Sequence, residues 1–279
     1  ICSIYYKNIK KINLNDGTPI YCLKSNEALV LDEHVKAYIN TGIKINNGDI
    51  IIDIGANIGL FGIRLSHMYN NIHIYCFEPI PEIYNVLKKN ADLSLNSNFK
   101  TYMMGISDKN SNISFTYYPN SPALSTSKPE IWEKDQENFL SAVQGSISNA
   151  PKTFWWAKII PKFMTPLIAK YLTYKRKTIT SKVITLSEFI QQKDIKKIKL
   201  LKIDCEGEEI NVLNGIKPID LSKIDNIVME INDINNSIKK AKNILLKNGF
   251  ASIRLEKESG FEKTKLANPA PWDAIIFFA

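Results

Sequence analysis

The feature that most constrains this chain is a β-branched run that ends in a glycine turn. Asp49-Ile50-Ile51-Ile52-Asp53-Ile54 is short and dominated by isoleucine, as a central strand covered on both faces requires. It runs directly into Gly55-Ala56-Asn57-Ile58-Gly59 and then into residues 60–69, which read as a helix. The alternation continues with a strand over 72–77, a helix over 83–91, a strand over 101–106 and a hairpin strand over 113–118. It returns after an interruption, with helices over 186–191, 208–214 and 238–247 and strands over 198–204, 227–231, 250–255 and 274–278. Such alternation predicts an α/β protein with a mostly parallel, doubly wound sheet. At 279 residues and 44% hydrophobic content, the chain can bury one large core. Residues 1–48, with a helix from about Glu27 to Ile39, read as an N-terminal extension or cap.

The interruption spans residues 119–178 and divides the core into 49–118 and 179–279. A structureless loop of that length would be unusual in a compact domain, so the segment is expected to be an insertion with its own helices. It also carries the charge. The chain has 36 basic and 28 acidic residues, a net charge of +8. Residues 151–177 alone hold Lys152, Lys158, Lys162, Lys170, Lys175, Arg176 and Lys177 and no acidic residue. Among them lie Phe154-Trp155-Trp156, Phe163, Met164, Leu167, Tyr171 and Leu172, at roughly helical spacing broken by Pro161 and Pro166. Four readings stay open: a basic helix pair packed on the core, a lid over an apolar substrate, a dock for an acidic carrier protein, or a membrane-surface helix. A nucleic-acid partner is not expected. Its cations would spread over a reading face, and the Asn-Pro-Pro-aromatic motif of many nucleic-acid methylating enzymes is only partly mimicked by Asn268-Pro269-Ala270-Pro271-Trp272.

No apolar run approaches the ~18 residues that a membrane-spanning helix needs. The four cysteines (Cys2, Cys22, Cys76, Cys205) are scattered, with no CxxC pair, which speaks against zinc or disulfide scaffolding and for a reducing, cytoplasmic setting. The chain begins at Ile1 rather than Met, so it is expected to be a piece of something longer or a processed product.

The glycine turn lies where a dinucleotide fold carries its phosphate fingerprint, but the spacing is not G-x-G-x-x-G. Asp53 at the strand end would repel a pyrophosphate and welcome a cationic, amino-acid-bearing group. Glu78 ends the second strand, where a carboxylate accepts hydrogen bonds from both ribose hydroxyls. A cation, an amino acid, a ribose and no phosphate together describe S-adenosyl-L-methionine.

Four blocks of the sequence resemble the FkbM family of S-adenosylmethionine-dependent methyltransferases. They are Ile52-Asp53-Ile54-Gly55-Ala56-Asn57-Ile58-Gly59; Phe77-Glu78-Pro79; Leu201-Lys202-Ile203-Asp204-Cys205-Glu206-Gly207-Glu208-Glu209 followed by Val212-Leu213-Asn214-Gly215; and Val228-Met229-Glu230. The third is the most family-specific, an Asp-x-Glu-Gly-x-Glu signature. The resemblance implies a Rossmann-like class I methyltransferase fold with seven strands, the last antiparallel. It also implies O-methylation of a hydroxyl on a natural-product intermediate, with a polyketide or peptide chain bound to an acyl carrier protein as the favoured acceptor and a free hydroxyl-bearing small molecule or sugar as the alternative. Carried over by position, Asp53, Gly55, Ala56, Asn57 and Gly59 line the methionine end of the cofactor site and Glu78 the ribose. Gly105-Ile106-Ser107-Asp108 flank the adenine, and Asp204 lies at the carboxyl edge. Cys205 stands where the family more often has an apolar residue such as valine, and as a small buried hydrophobe it is expected to leave activity unchanged.

Methyl transfer to a hydroxyl needs in-line alignment and a group that takes or polarises the proton. The candidates are Glu206, His34, Asp204 and Glu230. His34 lies on the N-terminal helix, which in such folds often covers the site. His67 and His73 fall at the opposite edge and are expected to be structural or solvated. Asp204, Glu230 and Asn232 imitate a magnesium-binding set, but their order is not diagnostic and no metal ligand is assigned. A methyltransferase of nucleic acid, which the basic balance suggests and the confined charge opposes, and a fold kept only as a non-catalytic docking or membrane-binding module are the remaining alternatives.

Overall fold

The computed structural model describes residues 9–39, 42–130, 136–148, 152–231, 234–257 and 275–278. Cys2, Asn232 and the 268–272 stretch lie outside them. The chain opens with β1 (Lys10–Asn13), β2 (Pro19–Cys22) and α1 (Ser25–Ile39), then β3 (Ile50–Ile54), α2 (Leu60–Met68), β4 (His73–Phe77), α3 (Pro81–Leu93) and β5 (Phe99–Tyr102). Next come β6 (Gly105–Ile106), β7 (Ser111–Tyr117), α4 (Gln136–Ser148), α5 (Thr165–Leu172) and β8 (Lys177–Ile184). The last part holds α6 (Leu186–Gln192), β9 (Leu200–Ile203), α7 (Glu209–Asn214), α8 (Pro218–Leu221), β10 (Ile227–Ile231), α9 (Ser237–Lys247), β11 (Arg254–Lys257) and β12 (Ile275–Phe278).

The main sheet has the order β11-β12-β10-β9-β3-β4-β5. Five of these strands, β10 to β5 in that order, make one uninterrupted parallel run. The implied count of seven is reached only with β11 and β12 from the C-terminal segment, where β12 pairs antiparallel with both its neighbours. The middle of the run is apolar on both faces because helices cover both: every residue of β9 is buried, and so is β3 after its first. The exceptions are polar residues in register. Asp53 of β3 lies opposite Cys76 of β4 on one side and Lys202 of β9 on the other.

The third expected strand, over 101–106, is two elements rather than one. The chain leaves the main sheet after Tyr102, bends through Met103-Met104, and enters a second sheet of order β6-β8-β7. In that sheet β7 and β8 pair antiparallel from Ser111↔Val183 to Tyr117↔Lys177. The insertion is therefore the tip of a hairpin, beginning at Tyr118 and ending at Arg176. Its expected helices are present around a core of its own, Tyr118, Phe139, Val143 and Ala169. The two prolines do not interrupt it: Pro161 precedes the 3-10 turn Lys162–Met164, and Pro166 lies in the first turn of α5, where no N–H is lost.

The N-terminal segment packs its apolar side chains into the core, and one arginine adds an ionic tie. Arg64 of α2 makes a two-pronged contact with Asp32 of α1, at 2.7 Å for each prong, and also reaches Asp16 beyond β1. Asp32 is buried, and without the guanidinium its charge would be left to the more exposed Lys36 ammonium, 3.2 Å away. Arg64→Ala is expected to cost about 3–5 kcal/mol in denaturant unfolding. Asp16→Asn, at an exposed position, is expected to cost less than about 1 kcal/mol.

Candidate functional site

A cavity of about 1580 Å³ opens at the carboxyl ends of the parallel strands, between the sheet, α1 and the insertion. Its floor is the glycine turn. Gly55 has φ 75°, and a Cβ there would stand 1.7 Å from the Asp204 carbonyl oxygen, so only glycine lets β3 and β9 end side by side. The N–H groups of Gly55 and Ala56 both donate to the Phe77 carbonyl, at 3.1 and 2.9 Å. Asn57, also left-handed with φ 49°, uses its side-chain oxygen to accept the Ile58 N–H at 2.8 Å. From behind, the buried Asn90 amide of α3 donates to the carbonyls of Ile58 and Tyr21, tying turn and cap together.

Gly55, Ala56, Asn57, Glu78 and Asp204 all line the cavity. Gly59 does not: it starts α2 and faces Leu87. Asp53 is also off the wall and fully buried, contrary to its expected role as the facing counter-charge. Its carboxylate is committed to Lys202, whose Nζ lies 3.1 Å from Asp53 and 3.3 Å from Asp204. Burial alone would favour a neutral amine, but the two carboxylates outweigh it and hold Lys202 protonated. The rings of Tyr38 and Phe61 flank the ammonium at 5.4 and 6.0 Å. Tyr38 also donates its hydroxyl to Glu230. Lys202 lines the cavity, and the sequence reading missed it. Its signal was a lysine inside an apolar central strand, which demands a buried partner.

Glu78 is buried at the tip of β4. It accepts the backbone N–H groups of Ile80 at 2.9 Å and Asn57 at 3.2 Å. Burial nevertheless pushes its carboxyl up to about 7.

The Asp-x-Glu-Gly-x-Glu signature forms the opposite wall. Glu206 and Gly207 both have positive φ, 51° and 104°, so the loop bends sharply into the cavity. Glu209 holds that bend by accepting the N–H groups of Cys205 at 3.1 Å and Gly207 at 2.9 Å. The start of the insertion straps it from outside. Thr126 donates to the Glu206 carbonyl at 2.6 Å, and Ser127 donates to Glu208 at 2.7 Å. For Glu208, burial works against ionisation, but Asn211, Ser127 and Lys128 together hold it below the usual carboxylate range. Ser107 is packed beneath Glu208, 3.4 Å away, so it lies off the cavity while Gly105 and Ile106 line it. Burial pushes the Cys205 thiol up, which suits an inert wall residue.

His34, Asp204, Glu206 and Glu230, from α1 and the ends of β9 and β10, all border the one cavity. His67 is exposed in the last turn of α2, and His73 starts β4 at the far edge. Among the described residues no group of three His, Cys, Asp or Glu side chains is placed to hold a metal ion. A cationic sulfonium with an adenosine body fits what is present. Bare backbone at Gly55 admits close approach, Glu78 retains acceptor capacity for a diol, and Asp204, Glu206 and Glu230 make the wall acidic.

A family model described as the methyltransferase FkbM domain matches residues 53–252. Methyltransferase 1 of Beauveria bassiana is 27% identical over 247 residues, 87% of this chain and 90% of that protein. The 31-O-demethyl-FK506 methyltransferase FkbM of Streptomyces tacrolimicus is 23% identical over 261 residues, 92% of this chain and 95% of that one. The AMB antimetabolite synthetase AmbE of Pseudomonas aeruginosa is 25% identical over 249 residues, 87% of this chain but 11% of the synthetase.

The Asp53–Lys202 pair gives a test of the site's foundation. Lys202→Met is expected to destabilise the fold by about 3–5 kcal/mol, because Asp53 is left as an uncompensated buried charge. Adding Asp53→Asn should recover a large part of that loss, measured as the coupling energy of a double-mutant cycle in urea.

Proposed function

We propose, since the chain belongs to the FkbM methyltransferase family, that it is an O-methyltransferase for a hydroxyl on a natural-product intermediate with a large apolar body. Methyltransferases of this family depend on S-adenosyl-L-methionine. When bound, that cofactor supplies a methyl group on a cationic sulfonium, a leaving group suited to direct displacement by an aligned oxygen. In this reading Glu78 accepts the ribose hydroxyls, the turn at Gly55–Asn57 meets the methionine end through backbone, and Gly105 and Ile106 border the adenine. Asp204, Glu206 and Glu230 supply the negative field that Asp53, neutralised by Lys202, does not.

The acceptor enters from the insertion side, where Phe139, Trp156, Ile168 and Leu172 make that part of the cavity apolar. Glu206 takes the proton. The left-handed backbone of Glu206 is pinned by Thr126, so that its side chain is delivered to the cavity from a fixed bend. His34, above it on α1, is the alternative base. What carries the reading is the meeting of four proton-handling side chains with a buried ribose-type carboxylate around one cavity. A second reading, in which the acceptor is tethered to a carrier protein, is favoured by the match to a segment of a synthetase.

Two measurements test this. In single-turnover methylation, Glu206→Gln is expected to slow the chemical step by about 10²–10⁴ while leaving cofactor affinity within about twofold; the same loss confined to His34→Ala would move the base to α1. The second uses pH. Because burial raises the Glu78 carboxyl to about 7, the folded protein binds more protons than the unfolded chain between the ordinary carboxylate range and that value. Ligand-free stability should therefore decline as pH rises through that window. Cofactor affinity should do the reverse, rising as the acceptor carboxylate ionises. Calorimetry of Glu78→Gln should show weaker binding and a flattened pH profile.

A further inference from the structure

Between Trp155 and Tyr171 the insertion carries large apolar side chains that no described residue covers. Trp155, Ile159, Phe163, Leu167 and Tyr171 are each about 60–80% exposed, at 64%, 67%, 78%, 64% and 59%, and Trp156 is 49% exposed. These side chains do not serve the insertion's own core, which is built from Tyr118, Phe139, Val143 and Ala169. A helix pair packed on the body of the protein would have buried them. Soluble proteins rarely leave so many large apolar groups together without a partner.

The charges around them define the partner. Lys158, Lys162 and Lys170 are exposed between the aromatic positions, Lys175 and Arg176 follow, and residues 151–177 contain no acidic side chain. Tryptophan, phenylalanine and leucine interleaved with lysine match the boundary between lipid headgroups and acyl chains, where aromatic rings insert and ammonium groups meet lipid phosphates. An acidic carrier protein would satisfy the cations but leave the rings in water. The helix concerned, α5, has eight residues, and among the described residues no helix is long and apolar enough to cross a membrane, so the contact is peripheral. The same segment also lines the cavity, through Ala157, Ile160 and Ile168, while Trp156 and Tyr171 both border the cavity and remain partly exposed.

We propose that residues 155–171 dock this protein on the surface of an anionic bilayer, with the rings of Trp155 and Phe163 and the Leu167 side chain inserted at the headgroup level. Bound in that way, the cavity takes an amphiphilic acceptor from the membrane side without passing it through water.

The test uses the full chain and vesicles of phosphatidylcholine, alone or with about 30 mol% phosphatidylglycerol, in a flotation assay. Wild type is expected to float with the anionic vesicles, about tenfold more tightly than with neutral ones, and to be released by salt. The combined variant Trp155→Ser, Phe163→Ser, Leu167→Ser should lose about tenfold or more in vesicle binding. Cofactor affinity should be unchanged, since none of the three lines the cavity. Lys158→Glu, Lys162→Glu, Lys170→Glu should abolish the preference for anionic lipid, and decides the matter should the first variant fail to fold. Equal, weak binding of wild type to both vesicle types overturns the proposal. So does size-exclusion evidence that the apolar variant merely turns a dimer into a monomer. Tight binding of an acidic carrier protein through the same three residues, without binding to anionic vesicles, also overturns it. None of these outcomes bears on methyl transfer, which the Glu206 and Glu78 variants test separately.

Discussion

The Lys202 ammonium is the interaction on which the rest of the site depends. It sits in the middle of a parallel sheet, between carboxylates from the two strands whose tips build the cavity floor, with aromatic rings of α1 and α2 beside it. A buried cation there is tolerable only if both flanking charges stay in place, so the pairing of β3 with β9 and the docking of α1 are coupled to one another. The same pairing brings the Asp204 carbonyl against Gly55 closely enough to exclude any side chain. One cation shared by two carboxylates thus leaves net negative charge beside the bare backbone of the floor. The acid that ends β3 works as a structural counter-ion, and the field offered to a ligand comes from the next shell of carboxylates along the edge.

How far the sequence could be read follows from the range of the interactions. The run Ile50–Ile54 and the glycine turn are decided by neighbours a few residues apart, and both were legible. So was the placement of Glu78, Asp204, Glu206 and Glu230 at one edge, because strand ends in a parallel sheet gather there. The partner of Asp53 was not, since register between strands 149 residues apart is set by packing of the whole sheet. Ser107 is hidden for the same reason, since its hydroxyl turns to Glu208, 101 residues away. Strand β8 hid because Lys177, Thr178 and Thr180 are exposed and polar, and a strand with one wet face mimics a loop. Pro161 and Pro166 read as breaks although they begin helical turns, since position within the turn decides whether a proline costs a hydrogen bond.

Cap, insertion and signature loop form a ring around the cavity. Glu27 of α1 accepts the Ser121 hydroxyl at 3.1 Å and the Ala123 N–H at 3.0 Å, joining the cap to the first residues of the insertion. A few residues on, Thr126 to Lys128 grip the backbone and side chains of the Glu206–Glu208 bend. Burial pushes the Glu27 carboxyl up to about 7, against the hydrogen bonds that favour its charge. The elements that border the apolar end of the cavity are thus hydrogen-bonded to those that shape its acidic end.

The hairpin that carries the insertion has a consequence for how such a chain can diversify. Its two ends are held side by side by the Tyr117–Lys177 rung, and the segment between them has its own small nucleus. Its length and composition can drift, or be exchanged wholesale, without disturbing the register of either sheet. Beyond the short strap at its base, nothing in the main sheet's strand pairing needs the remainder of the segment. A lineage of such proteins can thus retain one engine for the reaction while swapping the fitting that selects and receives the cargo.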